Sequence, residues 1–395
     1  MVKLFENKNK TVITAFLLTL AMSLLLAGCS ASAPTAPSTT AAPADNAAEQ
    51  SAADGEPTGA APRVIIDQLG REVQLPESID RVATDRILPF PSVYFLATGT
   101  AEQIVGMHPA SKSAAENSML ATLAPEMLQA NTGFAAGDDI NIEELLKLNT
   151  DVVYIRAESG QVELYDKAGI TTVAIGTTGV AAGDALATIN SWLELLDEIY
   201  DLDDRARGII EYGKRAEADI AAAVSDVTEK PRAMMLFNYT DGKPIISGKG
   251  FFGNYWLNAT GAIDVAEDDL QGQSPVDMEQ IYQWNPEIIY ITNFTELMPE
   301  DFYNNTIDGL DWSQIDAVKN GQVYKIPLGI YRWFAPSGDT PLMLQWLAQK
   351  NHPEIFTYDM SQILKDYYLE YYYYSLSDEE VEKILNPVRE AAQGI

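Results

Sequence analysis

The sequence holds one cysteine, Cys29, and two histidines, His108 and His352. A single thiol excludes an intramolecular disulfide. Two histidines in dissimilar contexts argue against a bare zinc or manganese centre, which gathers several histidines or carboxylates. They argue equally against a Ser- or Cys-based nucleophilic triad. Basic residues are scarce as well: 26 Lys and Arg stand against 57 Asp and Glu, a net charge of −31. Nucleic acid needs a basic face and is excluded as a partner. The acids leave a carboxylate-only hydrolase open, because their pairing in space is not legible in the chain. Long apolar runs are lacking except for one, Val12 to Leu26.

That run follows Lys3, Lys8 and Lys10 and ends in Leu26-Ala27-Gly28-Cys29. A basic start, a short apolar segment and a small-residue cleavage site make an export signal, too short for a comfortable membrane span. The Leu-Ala-Gly-Cys end resembles a bacterial lipobox, in which the Cys becomes the lipidated first residue. Residues 1–29 are therefore expected to be a lipoprotein signal peptide ending at lipidated Cys29. Residues 30–62 are mostly Ala, Pro, Ser and Thr and cannot bury a core, so a disordered tether is expected. The mature chain is expected on the extracytoplasmic face of the cell membrane, anchored by its N-terminal lipid.

Downstream, Asp204 to Val227 carries Ala206, Ile209, Ile210, Gly213, Ala216, Ile220, Val224 and Val227 at three- and four-residue spacing. This predicts one amphipathic helix of about 36 Å, N-capped by Asp203 and stopped by Pro231. On its N-terminal side, Asn141 to Asn149 predicts a short helix with an Asn141/Glu144 capping box, followed by the buried strand Asp151 to Ile155. On its C-terminal side, Asp277 to Asn285 and Glu287 to Ile291 repeat that unit at an offset of 136 residues. Glu143 meets Glu279, Asn149 meets Asn285 and Tyr154 meets Tyr290. The repeat predicts two related α/β lobes with mainly parallel sheets, joined by one long helix. The domains are expected at 63–182 and 231–350, with a helix pair at 183–230. A C-terminal helical tail at 351–395, rich in tyrosine, is expected to pack on the second lobe.

These features resemble the substrate-binding lipoproteins of ABC importers. The resemblance is to the family with a rigid helical backbone that handles iron-siderophores, haem and corrinoids. It rests on the lipobox, the opening VIIDQLGREVQLPESIDRV, the segments INIEELLKLNTDVVYI and VDMEQIYQWNPEIIYIT, and the single long helix, over residues 63 to 350. The family implies capture of a metal chelate between two lobes and delivery to an ABC permease dimer with its ATPase. It also implies that Glu143 and Glu279, one per lobe, dock on permease arginines. No enzyme activity and no cofactor of its own are expected, and the protein is expected to be a monomer. An exported carboxylate hydrolase and an adhesin remain as alternatives.

Ligand contacts are expected from loops at the lobe faces. The candidates are Arg86, Pro89, Phe90 and His108 in the first lobe, and Phe251, Phe252 and the loop Ile330-Tyr331-Arg332-Trp333-Phe334 in the second. Aromatic faces suit a flat or aromatic chelate, and arginine suits its carboxylates or anionic oxygens. His108 is the candidate to complete the shell of a metal that arrives already chelated. A nickel chelate or an oxyanion is the alternative ligand. The loop Ser247 to Gly253 is Gly-rich but lacks P-loop spacing.

Overall fold

The computed structural model describes residues 63–392 apart from 138, 179–181 and 203. The signal peptide, Cys29, the tether and the Asp203 cap lie outside those residues.

The first lobe opens with a hairpin of β1 (Arg63–Ile66) and β2 (Glu72–Leu75). Next come β3 (Val82–Asp85), α1 (Phe90–Thr98), β4 (Ile104–Met107), α2 (Pro109–Glu116) and α3 (Leu120–Leu123). A small hairpin, β5 (Ala135–Ala136) with β6 (Asp139–Ile140), leads into α4 (Ile142–Leu146) and β7 (Val152–Arg156). The lobe closes with α5 (Val162–Lys167) and β8 (Thr172–Ile175). Strands β4, β3, β7 and β8 form one sheet in that order, all parallel. Their near-continuous apolar runs are what helices on both faces of a parallel sheet demand.

Two long helices follow, α6 (Ala185–Tyr200), capped by Asp184, and α7 (Asp204–Ala223). The buried residues of α7 are Ala206, Ile209, Ile210, Gly213, Ala216 and Ile220, the stripe read from the sequence. The helix stops short of Val227. The Ser225 hydroxyl turns back onto the Ala222 carbonyl, 2.9 Å away, and competes with the helical ladder there.

The second lobe begins with β9 (Arg232–Thr240), β10 (Lys243–Ser247), α8 (Phe252–Ala259), β11 (Ile263–Asp264) and β12 (Gln273–Pro275). It continues through α9 (Met278–Trp284), β13 (Ile288–Ile291), α10 (Pro299–Tyr303), α11 (Asp316–Lys319) and β14 (Val323–Lys325). Helices α12 (Thr340–Asn351), α13 (Met360–Tyr371) and α14 (Asp378–Leu385) complete the chain. This sheet runs β12-β10-β9-β13-β14, with β11 beside β9. The pairs among β9, β11, β13 and β14 are parallel, but β10 pairs antiparallel with both β9 and β12. The cause is local: Asp241 and Gly242 both adopt positive φ (53° and 75°), a tight hairpin that folds β10 straight back on β9.

The repeated unit is present in both lobes. Asn141 accepts from Glu144 N–H at 3.2 Å, and Asp277 accepts from Gln280 N–H at 3.0 Å. Asn149 and Asn285 close the two units with left-handed φ of 48° and 40°. The expected capping box at Asn141 is only half made, because the Asn141 N–H donates to Phe134 O instead. His108, expected in a loop, is the N-cap of α2.

The described residues form one compact unit. A continuous apolar core built on α1, α6, α7, α8, α12 and α13 reaches the inner faces of both sheets. The outer face of each sheet has its own smaller core. This arrangement turns the carboxyl ends of the parallel strands of both lobes toward a common cavity.

Candidate functional site

In α/β sheets ligands bind beyond the carboxyl ends of the strands. Those ends here supply Arg86 and Pro89 after β3, Arg156 at the end of β7, and Thr177 and Thr178 after β8. The second lobe faces them with Phe237, Phe251, Phe252, Phe294 and Phe334. Together with Trp192 these residues line a cavity of about 380 Å³. A larger cavity of about 540 Å³ is lined by Lys325, Lys350 and Trp346, but all its walls belong to the second lobe. The cavity between the lobes is the better candidate because both sheets converge on it.

Arg86 is held in an uncommon backbone conformation, φ 53°. Its Nε donates to Asp85 Oδ1 at 3.1 Å and an Nη donates to Asp85 Oδ2 at 3.3 Å. The same Nη reaches Gln161 Oε1, and Tyr165 OH donates to Asp85 Oδ2 at 2.7 Å. Burial, and then the neighbouring Asp85 charge, push the Tyr165 phenol up, so it stays a donor. Arg156 differs. Its Nε is buried with no hydrogen-bond partner among the described residues, and the side chain lines the cavity. A buried, unmet donor of a charged group is costly, and an incoming anion satisfies it.

The opposite wall is a packed aromatic cluster. Phe237 lies 4.9 Å from Phe294 and 5.4 Å from both Phe251 and Phe334, centroid to centroid. From behind, the Arg332 guanidinium sits 4.7 Å over the Phe294 ring. Trp256 Nε1 donates to Phe334 O at 2.8 Å and fixes that residue's backbone. Gly183, at φ 87°, lies against the Gly250–Phe251 backbone, where a Cβ would come within 2.7 Å of Gly250 C. Glycine is needed at that close approach.

The cavity brings together five of the residues expected from sequence, Arg86, Pro89, Phe251, Phe252 and Phe334. Phe90 is buried and is not among the lining residues; it lies 4.8 Å from Tyr154 and 6.0 Å from Trp192. Tyr331, Arg332 and Trp333 are buried behind the wall, and the next residue, Phe334, is the one that lines the cavity. His108 caps α2: its Nδ1 accepts from Ala110 N–H at 3.1 Å, so its Nε2 donates to Gly137 O at 3.0 Å. It is not among the lining residues. Glu143 and Glu279 are exposed in the first turns of α4 and α9. Sequence reasoning missed Arg156, the two threonines, Trp192, Phe237 and Phe294. Arg156 is the last residue of a buried parallel strand, and that position is the signal for it.

None of the described lining residues is an acid, a cysteine or a histidine. Among the described residues no group of three or more such side chains is placed to hold a metal ion. The lining sets cationic donors on one lip and rings on the other. That combination defines a two-lobed solute receptor.

The chain belongs to the periplasmic binding protein family, whose model matches residues 90–328. It has the class III fold of ABC-importer binding proteins, and it is a solute-binding protein and not an enzyme. A periplasmic solute binding protein from Veillonella parvula is 34% identical, with a TM-score of 0.74 over 82% of this chain and 96% of that one. The molybdate-binding protein MolA of Haemophilus influenzae is 25% identical over 79% of this chain and 91% of its own. Helicobacter pylori CeuE with Ni(II) bound is 25% identical, with a TM-score of 0.64 over 82% of this chain and 99% of that one. Among the described residues no helix is long and apolar enough to cross a membrane.

Proposed function

We propose that this binding protein captures a small metal chelate bearing carboxylate or other anionic oxygens between its lobes and delivers it to an ABC permease. The observation that carries the reading is the unmet Arg156 donor in a cavity whose far wall is phenylalanine. The guanidinium groups answer carboxylate or other anionic oxygens, and the rings answer an organic body. A volume of about 380 Å³ is at the small end for ligand pockets. It favours a compact chelate, of the nickel–amino-acid or small-siderophore kind, over haem or a corrinoid. The nickel-bound relative supports the same direction.

A second reading, a bare oxyanion, is favoured by Thr177 and Thr178 beside the two arginines and by the molybdate-binding relative. The aromatic wall gives an oxyanion nothing to bind, so this reading stands second. His108 reaches a chelated metal only by giving up the hydrogen bonds that cap α2.

In this reading Cys29 carries the lipid anchor. Glu143 and Glu279, exposed at equivalent points of the repeated unit, dock the two lobes on a two-fold permease. Replacing both with Ala is expected to leave ligand affinity unchanged and to abolish uptake; normal uptake by that variant removes the docking assignment. Trp192, in the cavity lining, reports occupancy. Its emission, titrated with nickel(II)–histidine, ferric siderophores, haem, cobalamin, molybdate and bare divalent ions, is expected to respond saturably to one compact chelate with carboxylate or other anionic oxygens. A response to molybdate alone selects the oxyanion, and a response to a bare cation overturns both readings.

A further inference from the structure

The tyrosine-rich helix α13 has no part in the cleft as described so far, yet it reaches the loop that forms one of its walls. At the centre lies Asp339, fully buried. Its Oδ2 accepts from Ile330 N–H at 2.8 Å, Trp333 Nε1 at 2.9 Å and Tyr368 OH at 2.9 Å. Its Oδ1 accepts from Tyr372 OH at 3.0 Å, and Tyr367 OH donates to the neighbouring Gly338 O at 2.5 Å. Burial pushes the Asp339 carboxyl above the usual range, and these four donors pull it back. The fit is tight: a Cβ on Gly329 would fall within 2.7 Å of the Tyr368 hydroxyl and within 2.8 Å of Trp333 Nε1. The Gly329 carbonyl also accepts from Met119 N–H of the first lobe at 2.9 Å.

If the loop needed only burial, apolar side chains would serve it at least as well as a buried carboxylate. A fully satisfied polar network holds one geometry where an apolar cluster tolerates several. The segment enclosed by this network, between Ile330 and Asp339, contains Phe334, Ala335 and Pro336 of the cavity wall.

We propose that Asp339, Tyr368 and Tyr372 are positioning residues of the ligand cleft, which lock the loop from Gly329 to Gly338 and so set the place of Phe334. The C-terminal helix is thereby a working part of the receptor. This rests on the reading that the cavity between the lobes takes the ligand.

The test is hydrogen exchange on the full chain without ligand, comparing wild type with Tyr368→Phe/Tyr372→Phe, which keeps both rings and removes two donors. The amides of Ile330, Trp333, Ala335 and Ser337 are expected to exchange at least about tenfold faster, with those of Met234–Leu236 and Val153–Ile155 unchanged. Affinity for nickel(II)–histidine is expected to fall about tenfold alongside. Asp339→Asn is expected to keep wild-type exchange, because its oxygen takes three donors and its amide donates to the Tyr372 hydroxyl. Asp339→Ala is expected to lose it. Unchanged loop exchange, a rise that both sheets share, or local loosening with full affinity overturns the proposal. If the double variant does not fold, Tyr372→Phe alone carries the same comparison. A failure of the cleft reading shows separately, as no effect of Arg156→Ala on affinity, and the exchange result does not depend on it.

Discussion

The two lobes bury carboxylates in opposite ways. Four aspartates are buried among the described residues. Asp67 and Asp85, in the first lobe, each pair with an adjacent guanidinium, Arg71 at 2.6 Å and Arg86 at 3.1 Å. Asp264 and Asp339, in the second, are met by neutral donors. Asp264 takes Asn254 Nδ2 and Ala266 N–H, both at 3.0 Å, while Asp339 takes tyrosines, an indole and an amide. The cleft follows the same division, with guanidinium groups on the first lip and rings on the second. Charge is placed on one lobe and shape on the other. A ligand with both an anionic edge and an organic body is the kind that uses the two lips at once.

The largest expected effect breaks the first half of that comparison. Arg86→Ala leaves Asp85 buried without its cation, and unfolding stability is expected to drop by about 3–5 kcal/mol in urea melts. Asp85→Asn in the same chain restores much of it. A loss below about 1 kcal/mol for the single variant contradicts the pairing account.

The next prediction concerns the neutral-donor lobe. Burial pushes the Asp264 carboxyl up to about 6. The folded state therefore binds this proton more tightly than the unfolded chain. The stability it contributes is full below about pH 4 and is lost as pH rises through about 6, on the order of 3 kcal/mol. Asp264→Asn is expected to flatten stability across that window, measured by denaturant melts at several pH values. The same slope in the variant assigns it to other groups.

The smallest effect sharpens the aromatic side. Phe251→Ala is expected to weaken an organic chelate by about 1 kcal/mol and to leave an oxyanion unaffected. Equal losses for both ligands would mean that the ring shapes the cavity without touching the organic body.

Much of the fold was legible because the repeat is written in local chemistry. Asn141 and Asp277 cap, Asn149 and Asn285 turn left-handed, and an apolar run follows each. The buried stripe of α7 was equally plain. Other features depended on details that were passed over or on distant contacts. Asp241-Gly242 signals a hairpin, and overlooking it hid the antiparallel part of the second sheet. The helix α2 has little apolar periodicity, and its cap is an uncommon histidine. The cleft loop was found, but not which of its side chains faces the ligand. That choice depends on Asp339 and on tyrosines some 30 residues further on, drawing Trp333 inward and leaving Phe334 outward. Arg156 was passed over because a lone arginine at the end of a strand has no motif, only a position.

Calorimetric titration of wild type and Arg156→Ala with nickel(II)–histidine and with the chelate that quenches Trp192 tests the central claim most directly. The account predicts saturable binding by wild type, at least tenfold weaker in the variant, with unfolding stability unchanged or slightly raised, since a buried donor without a partner has been removed. Equal affinity in the two proteins, or tight binding of a bare divalent cation by either, would contradict it.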